Sequence, residues 1–145
     1  MGKRISLYAG EPIEALLAER KSENVSGEIN SAVAQYRETV RRHCPTMTRA
    51  EWCTCLDSLN GVAMMAIDAS WSPTYLVAEV ADACSMDKAH ERHGLRDPGA
   101  LVAKLGRMSY AELLAICDVA ARFWARHEEP TDALLADLLG NRMSK

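Results

Sequence analysis

The chain has 145 residues, of which 48% are hydrophobic, and its formal net charge is −3. This composition supplies enough apolar side chains for a packed core, so most of the chain is expected to be ordered. The longest apolar run, near residues 61–67, is too short to span a bilayer, which argues against a membrane protein. The five cysteines are odd in number and lack framework spacing, so a cytoplasmic location is expected.

The first predicted element is a short β-strand over residues 3–9. Its apolar residues alternate with Arg4, Ser6 and Tyr8, which lie on the opposite face. No second convincing strand follows, and a lone strand leaves its backbone donors and acceptors unsatisfied. The simplest partner is the same strand of a second copy, so the pattern predicts a homodimer joined by an antiparallel two-stranded ribbon. Such a ribbon fits the major groove of B-DNA.

Two predicted helices follow this strand. Pro12 suits the first position of a helix that extends to about Arg20. Ser26 is a favourable N-cap for the second helix, which Pro45 ends. The apolar stripe of the second helix consists of Ile29, Val33, Tyr36 and Val40.

The order strand, helix, helix over residues 3–43 resembles the ribbon-helix-helix family of DNA-binding proteins (MetJ/Arc-type repressors). The resemblance implies that the outward strand residues Arg4, Ser6 and Tyr8 contact base edges. The chemistry of these residues agrees with that role. An arginine can donate two hydrogen bonds to guanine, worth about 1–3 kcal/mol of discrimination, and a serine can bond to most base edges.

The resemblance also implies a phosphate site at the start of the second helix. There the backbone amides near Ser26 and Gly27 would bind the DNA backbone, with Lys3 as a further phosphate contact. The first-turn amides of a helix have no intrahelical partners and lie at the positive end of its dipole, which favours an anion. Residues 1–44 hold seven Lys and Arg against six Asp and Glu, so only modest non-specific affinity is expected.

The remainder of the chain, residues 45–145, is predicted to be an all-helical domain. The molecule would then be mainly α, with a ribbon-helix-helix segment over residues 1–44 followed by this domain. The predicted helix starts are capping boxes at Thr48–Glu51 and Ser109–Glu112, and N-caps at Ser72 and Thr131. The first of these helices carries apolar residues as far as residue 63, with a potential break at Asn60-Gly61.

One group of residues has the composition of a zinc site. Cys84, His90 and His93 are spaced C-x5-H-x2-H, and Cys53 and Cys55 add two thiols. The C-x-C spacing is not the usual chelate, and Cys84 falls on an apolar stripe where a buried cysteine is ordinary. The two histidines lie in a charged segment that is expected to be solvated. No metal site is therefore predicted.

Enzymatic activity is not predicted either, and no cofactor is expected. The sequence has no glycine-rich phosphate loop or dinucleotide motif. His43 and Cys44 are adjacent, so their side chains do not normally face each other on a helix. Four carboxylates fall on polar helix faces where solvation is the ordinary state: Asp57, Asp68, Glu79 and Asp82.

These observations favour a dimeric, sequence-specific transcriptional regulator that binds double-stranded DNA and represses by occluding a promoter. Residues 45–145 would strengthen dimerisation, mediate higher oligomers or bind another protein. Two alternatives keep the DNA-binding segment: an antitoxin of a toxin–antitoxin pair, and an accessory protein of plasmid partition or conjugation. A third is a helical interaction module that does not bind DNA and adds its strand to a partner's sheet.

Overall fold

The structure is a computed structural model that describes residues 11–20, 24–59, 72–126 and 129–144. The predicted strand, with Lys3, Arg4, Ser6 and Tyr8, lies outside these residues. The described part is mainly helical, as predicted. The chain divides into two compact units, Met1–Glu38 and Thr39–Lys145. The boundary expected from the sequence falls between residues 44 and 45.

The first unit contains the two helices that the sequence predicts. Helix α1 covers Glu11–Arg20, and helix α2 covers Val25–His43, so that its last turn belongs to the second unit. Basic residues occupy the last turn of α2, where they complement the negative end of the helix dipole.

The N-cap of α2 is Asn24, so the prediction that Ser26 caps this helix is wrong. The Gly27 backbone N–H donates to Asn24 Oδ1 at 3.0 Å, and the Glu28 N–H donates to the Asn24 carbonyl at 3.0 Å. Asparagine and serine are about equally good caps, so the sequence alone does not separate them. Gly27 allows Asn24 to act as the cap, because a Cβ atom at position 27 would overlap the Asn24 side chain.

The second unit is a set of short helices completed by a small pair of strands. Its elements are β1 (Met47–Thr48), α3 (Arg49–Ser58), a 3-10 helix (Pro73–Tyr75), α4 (Leu76–Met86), α5 (Ala89–Arg92), α6 (Pro98–Gly106), α7 (Tyr110–Ala125), α8 (Asp132–Leu139), a 3-10 helix (Gly140–Arg142) and β2 (Met143–Ser144).

The predicted helix caps at Thr48, Ser109 and Thr131 are confirmed, whereas Ser72 caps the 3-10 helix that precedes α4. The Thr48 hydroxyl accepts from the Glu51 amide at 3.2 Å, and the Glu51 carboxylate accepts from the Thr48 amide at 2.8 Å. Ser109 and Glu112 exchange the same two bonds at 3.2 and 3.1 Å. The Thr131 hydroxyl accepts a backbone N–H of the first turn of α8 at 3.2 Å. Local side-chain chemistry thus fixes where three of these helices begin.

One expectation for this unit needs correction. It is not entirely helical, because β1 and β2 pair in parallel, with Met47 opposite Met143 and Thr48 opposite Ser144. Helix α3 ends at Ser58, just before the potential break at Asn60-Gly61, and residues 60–71 lie outside the described residues. The strands escape sequence analysis because each is two residues long and its partner is distant in sequence.

Helix α3 lies at the centre of this unit and packs against α4, α5 and α7. Trp52 is completely buried, and its indole N–H donates to the Arg142 carbonyl at 3.1 Å. That bond ties the centre of the core to the segment that leads into β2. All five cysteines are described and are free thiols. Among the described helices, none is long and apolar enough to cross a membrane.

Candidate functional site

The first candidate site is the apolar face of α2. Val25, Val33 and Tyr36 share one side of the helix and are 44%, 50% and 41% exposed. Ile29 lies between them on the same side and is half-buried. A helix with one apolar face ordinarily packs that face against another element, so this surface is suited to contact with a further helix.

The predicted phosphate site lies in the first turn of the same helix. Ser26 is exposed in the first turn of α2. The Gly27 amide already donates to Asn24 Oδ1, and the acidic Glu28 occupies the same turn. Both features partly satisfy the positive end of the helix without an anion. The phosphate contacts of Ser26 and Gly27 stay predictions, as do those of Lys3, Arg4, Ser6 and Tyr8.

A second candidate site is centred on Asp57, in the second unit. Its Oδ2 accepts hydrogen bonds from Arg92 Nε at 3.0 Å and Nη2 at 2.8 Å, and His93 Nε2 lies 3.0 Å away. Arg92 Nη1 also donates to the Asp87 carbonyl at 2.8 Å. The carboxylate therefore links α3 to the end of α5.

The expectation that Asp57 and His93 are solvated is wrong. Their side chains are only 28% and 17% exposed. The two residues are far apart in sequence, and they meet because α3 packs against α5. Asp57 follows Cys53, which the structure shows to be buried, by one helical turn, so helical spacing is consistent with a carboxylate that faces inward.

A cavity of about 210 Å³ opens beside this carboxylate. Its lining is Cys53, Leu56, Asp57, Arg92, His93, Phe123, Trp124, Glu129 and Pro130. Phe123 and Trp124 meet edge to face, with ring centroids 5.0 Å apart. The indole N–H of Trp124 donates to the Leu56 carbonyl at 2.9 Å, which holds this ring in the wall. These residues come from four segments of the chain, so the sequence alone does not show that they meet.

The thiol in this cavity is not activated. Burial raises the pKa of Cys53, and the nearby Arg49 guanidinium opposes that rise only in part. A raised pKa keeps the thiol protonated at neutral pH and makes it a poor nucleophile. The cavity is therefore better suited to binding than to covalent chemistry.

The backbone of His90 contacts the Cys84 thiol, but the described residues considered for zinc do not form a metal site. Cys84 is buried, and burial raises the pKa of its thiol. The Nδ1 atom of His90 is buried and makes no hydrogen bond within the described part of the chain. Among the same residues, no group of three or more His, Cys, Asp or Glu side chains has the geometry to hold a metal ion.

No protein-family model matches this sequence, and no curated protein or solved structure is significantly similar to it. A function for this chain therefore has to be inferred from its own residues.

Proposed function

We propose that this protein is a sequence-specific DNA-binding transcriptional regulator that acts as a homodimer. Residues 1–44 would form a ribbon-helix-helix segment, and repression would follow from occlusion of a promoter. The observation that best supports this proposal is the exposed apolar face of α2, which follows α1 in the expected order.

The apolar face of α2 and the predicted strand need the same partner. Val25, Val33 and Tyr36 expose apolar surface that would be stabilised by burial at about 25 cal/mol per Å². A second copy presents an identical face, which allows a two-fold symmetric contact. The predicted strand at residues 3–9 also requires a partner for its backbone. A single dimer would satisfy both requirements.

DNA recognition would then depend on the ribbon. Arg4, Ser6 and Tyr8 would contact base edges in the major groove. Lys3 and the first turn of α2 at Ser26 and Gly27 would contact phosphates. Because the charge of residues 1–44 is nearly balanced, specific contacts would supply most of the affinity.

The base contacts are tested with the full chain and duplexes selected from a randomised DNA library. Arg4→Ala is expected to weaken binding to the selected duplex by about 1–3 kcal/mol, because it removes both hydrogen bonds to guanine. Fluorescence anisotropy at fixed salt measures the Kd. Arg96→Ala is the matched control, since it removes one exposed arginine from the second unit. Equal Kd values for the two variants would contradict the assignment of Arg4, and failure to select any duplex would contradict DNA binding.

The dimer is tested separately by sedimentation equilibrium. Val33→Asp places a charge in the apolar face of α2 and is expected to shift the protein from dimer to monomer, because an unpaired buried charge is costly. Val33 is half exposed, so the helix itself should tolerate the change. Ala34→Asp is the control, because Ala34 is exposed on the opposite side of α2. A monomeric parent protein, or a dimeric Val33→Asp variant, would rule out this interface.

A further inference from the structure

We propose that the cavity between α3, the end of α5 and the segment before α8 binds a small aromatic molecule that carries a protonated amine. This inference does not rest on DNA binding, because every residue of the cavity belongs to the second unit. It follows from the size of the cavity, its aromatic wall and the charges at its mouth.

The volume limits the ligand to about one ring. An apolar cavity of about 150 Å³ can hold benzene, whereas most sites for drug-sized ligands have volumes of about 300–1,000 Å³. The present cavity, at about 210 Å³, therefore has room for a single ring with a short substituent. Only one ring of a nucleotide or a large cofactor would fit inside it.

The walls favour an aromatic ring or an organic cation. Leu56, Phe123, Trp124 and Pro130 supply apolar and aromatic surface from three segments. Aromatic rings attract both other rings and ammonium groups, through edge-to-face contacts and cation–π interactions. An aliphatic chain would use the apolar surface but not the aromatic character of the wall.

Counted over the described residues, the mouth of the cavity carries an excess of negative charge. Arg92 is paired with Asp57, so these two charges offset each other. The exposed carboxylate of Glu129 adds a further negative charge. Arg49 lies nearby, but it is paired with Asp132 at 2.7 Å. A cationic ligand is therefore favoured over an anionic one.

Asp57 also retains an acceptor for such a ligand. Within the described part of the chain, all the hydrogen bonds to this carboxylate go to Oδ2. Its Oδ1 atom is consequently able to accept a further hydrogen bond, and Asp57 belongs to the lining of the cavity. The other titratable groups that the structure describes in the lining are His93, which pairs with Asp57, and the Cys53 thiol.

The test is a titration of the full-length protein with phenethylamine, followed by the indole N–H signal of Trp124 in two-dimensional NMR. Loss of one signal in Trp124→Phe assigns it. We expect a saturable shift with a Kd in roughly the millimolar range, as is reasonable for a ligand of this size. Two probes with the same ring are compared: the neutral 2-phenylethanol and the anionic 3-phenylpropanoate. Both are expected to bind more weakly, the anion by about tenfold or more.

A pair of matched variants tests how much the negative charge at the mouth of the cavity contributes to phenethylamine binding. Glu129→Gln is expected to weaken phenethylamine binding about two- to fivefold, as for one exposed charge. Asp82→Asn removes an exposed carboxylate from α4, which contributes nothing to the lining, and should leave the Kd unchanged. Three results would each overturn the proposal: no saturable shift with phenethylamine, equal binding of 2-phenylethanol or the anion, or a Glu129→Gln variant that binds like the parent. Equal binding of all three probes would identify the site as a plain apolar cavity.

Discussion

Trp52 links two parts of the second unit that are far apart in sequence. Its ring is completely buried in the core around α3, and its indole N–H reaches the Arg142 carbonyl. A buried tryptophan usually finds a partner for its N–H, since an unpaired donor in the core is costly. One side chain thereby contributes both apolar burial and a specific tie to the segment before β2.

Replacing Trp52 by phenylalanine should therefore destabilise the fold by about 1–3 kcal/mol. The variant keeps an aromatic ring but leaves the Arg142 carbonyl without its donor and creates a small void. Urea unfolding followed by circular dichroism measures the change in the free energy of unfolding. Tyr110→Phe serves as the control, because Tyr110 is exposed and loses only a hydroxyl. If both variants were equally stable, the tie to Arg142 would have no energetic importance.

At the scale of elements, the capping box of α3 does more than start a helix. Glu51 Oε2 accepts from the Thr48 amide and also from Lys104 Nζ at 3.1 Å, so the same carboxylate connects α3 to α6. Thr48 is in turn part of β1, which pairs with β2. The capping box is visible in the sequence, but only the fold shows that the same two residues also connect α3 to α6 and to the strand pair.

Thr48→Ala should lower the free energy of unfolding by about 1 kcal/mol, because the Glu51 amide loses its side-chain acceptor. Thermal or urea unfolding of the full chain measures this loss. Ser85→Ala is a suitable comparison, since Ser85 is exposed in α4. An unchanged midpoint for Thr48→Ala would mean that water replaces the cap without cost.

The difference between what could and could not be predicted follows from distance along the chain. The caps at Thr48, Ser109 and Thr131 are interactions over three residues, and the sequence predicts all of them. The contact between Asp57 and His93 depends on how α3 packs against α5. Hydrophobic periodicity assigns a residue to one face of its helix, but it does not show which other helix packs against that face.

At the scale of the whole molecule, buried thiols couple folding to alkaline pH. Burial raises the pKa of Cys117 to about 12 from an ordinary value of 9.0, and burial also raises the pKa of Cys55. In the unfolded chain these thiols ionise near their ordinary pKa. The contribution of the protonated Cys117 thiol to the stability of the fold is therefore complete below pH 9.0. It is lost as the pH rises towards the pKa of this thiol in the folded protein.

The free energy of unfolding should consequently fall between pH 9 and pH 11, by up to about 1.4 kcal/mol per pH unit for each thiol. Urea titrations at several pH values measure this slope. Cys117→Ala should give a shallower slope than the parent protein, whatever its effect on stability at neutral pH. Other alkaline groups titrate equally in both proteins, so parallel slopes would show that Cys117 ionises alike when folded and unfolded.

The pairing of β1 with β2 has a consequence for biosynthesis. Met47 and Thr48 emerge from the ribosome early, but their partners Met143 and Ser144 are made almost a hundred residues later. A nascent chain that stops at Leu139 also lacks the carbonyl that accepts from Trp52. The second unit can therefore complete its core only after residues 142–144 have been synthesised and have left the exit tunnel.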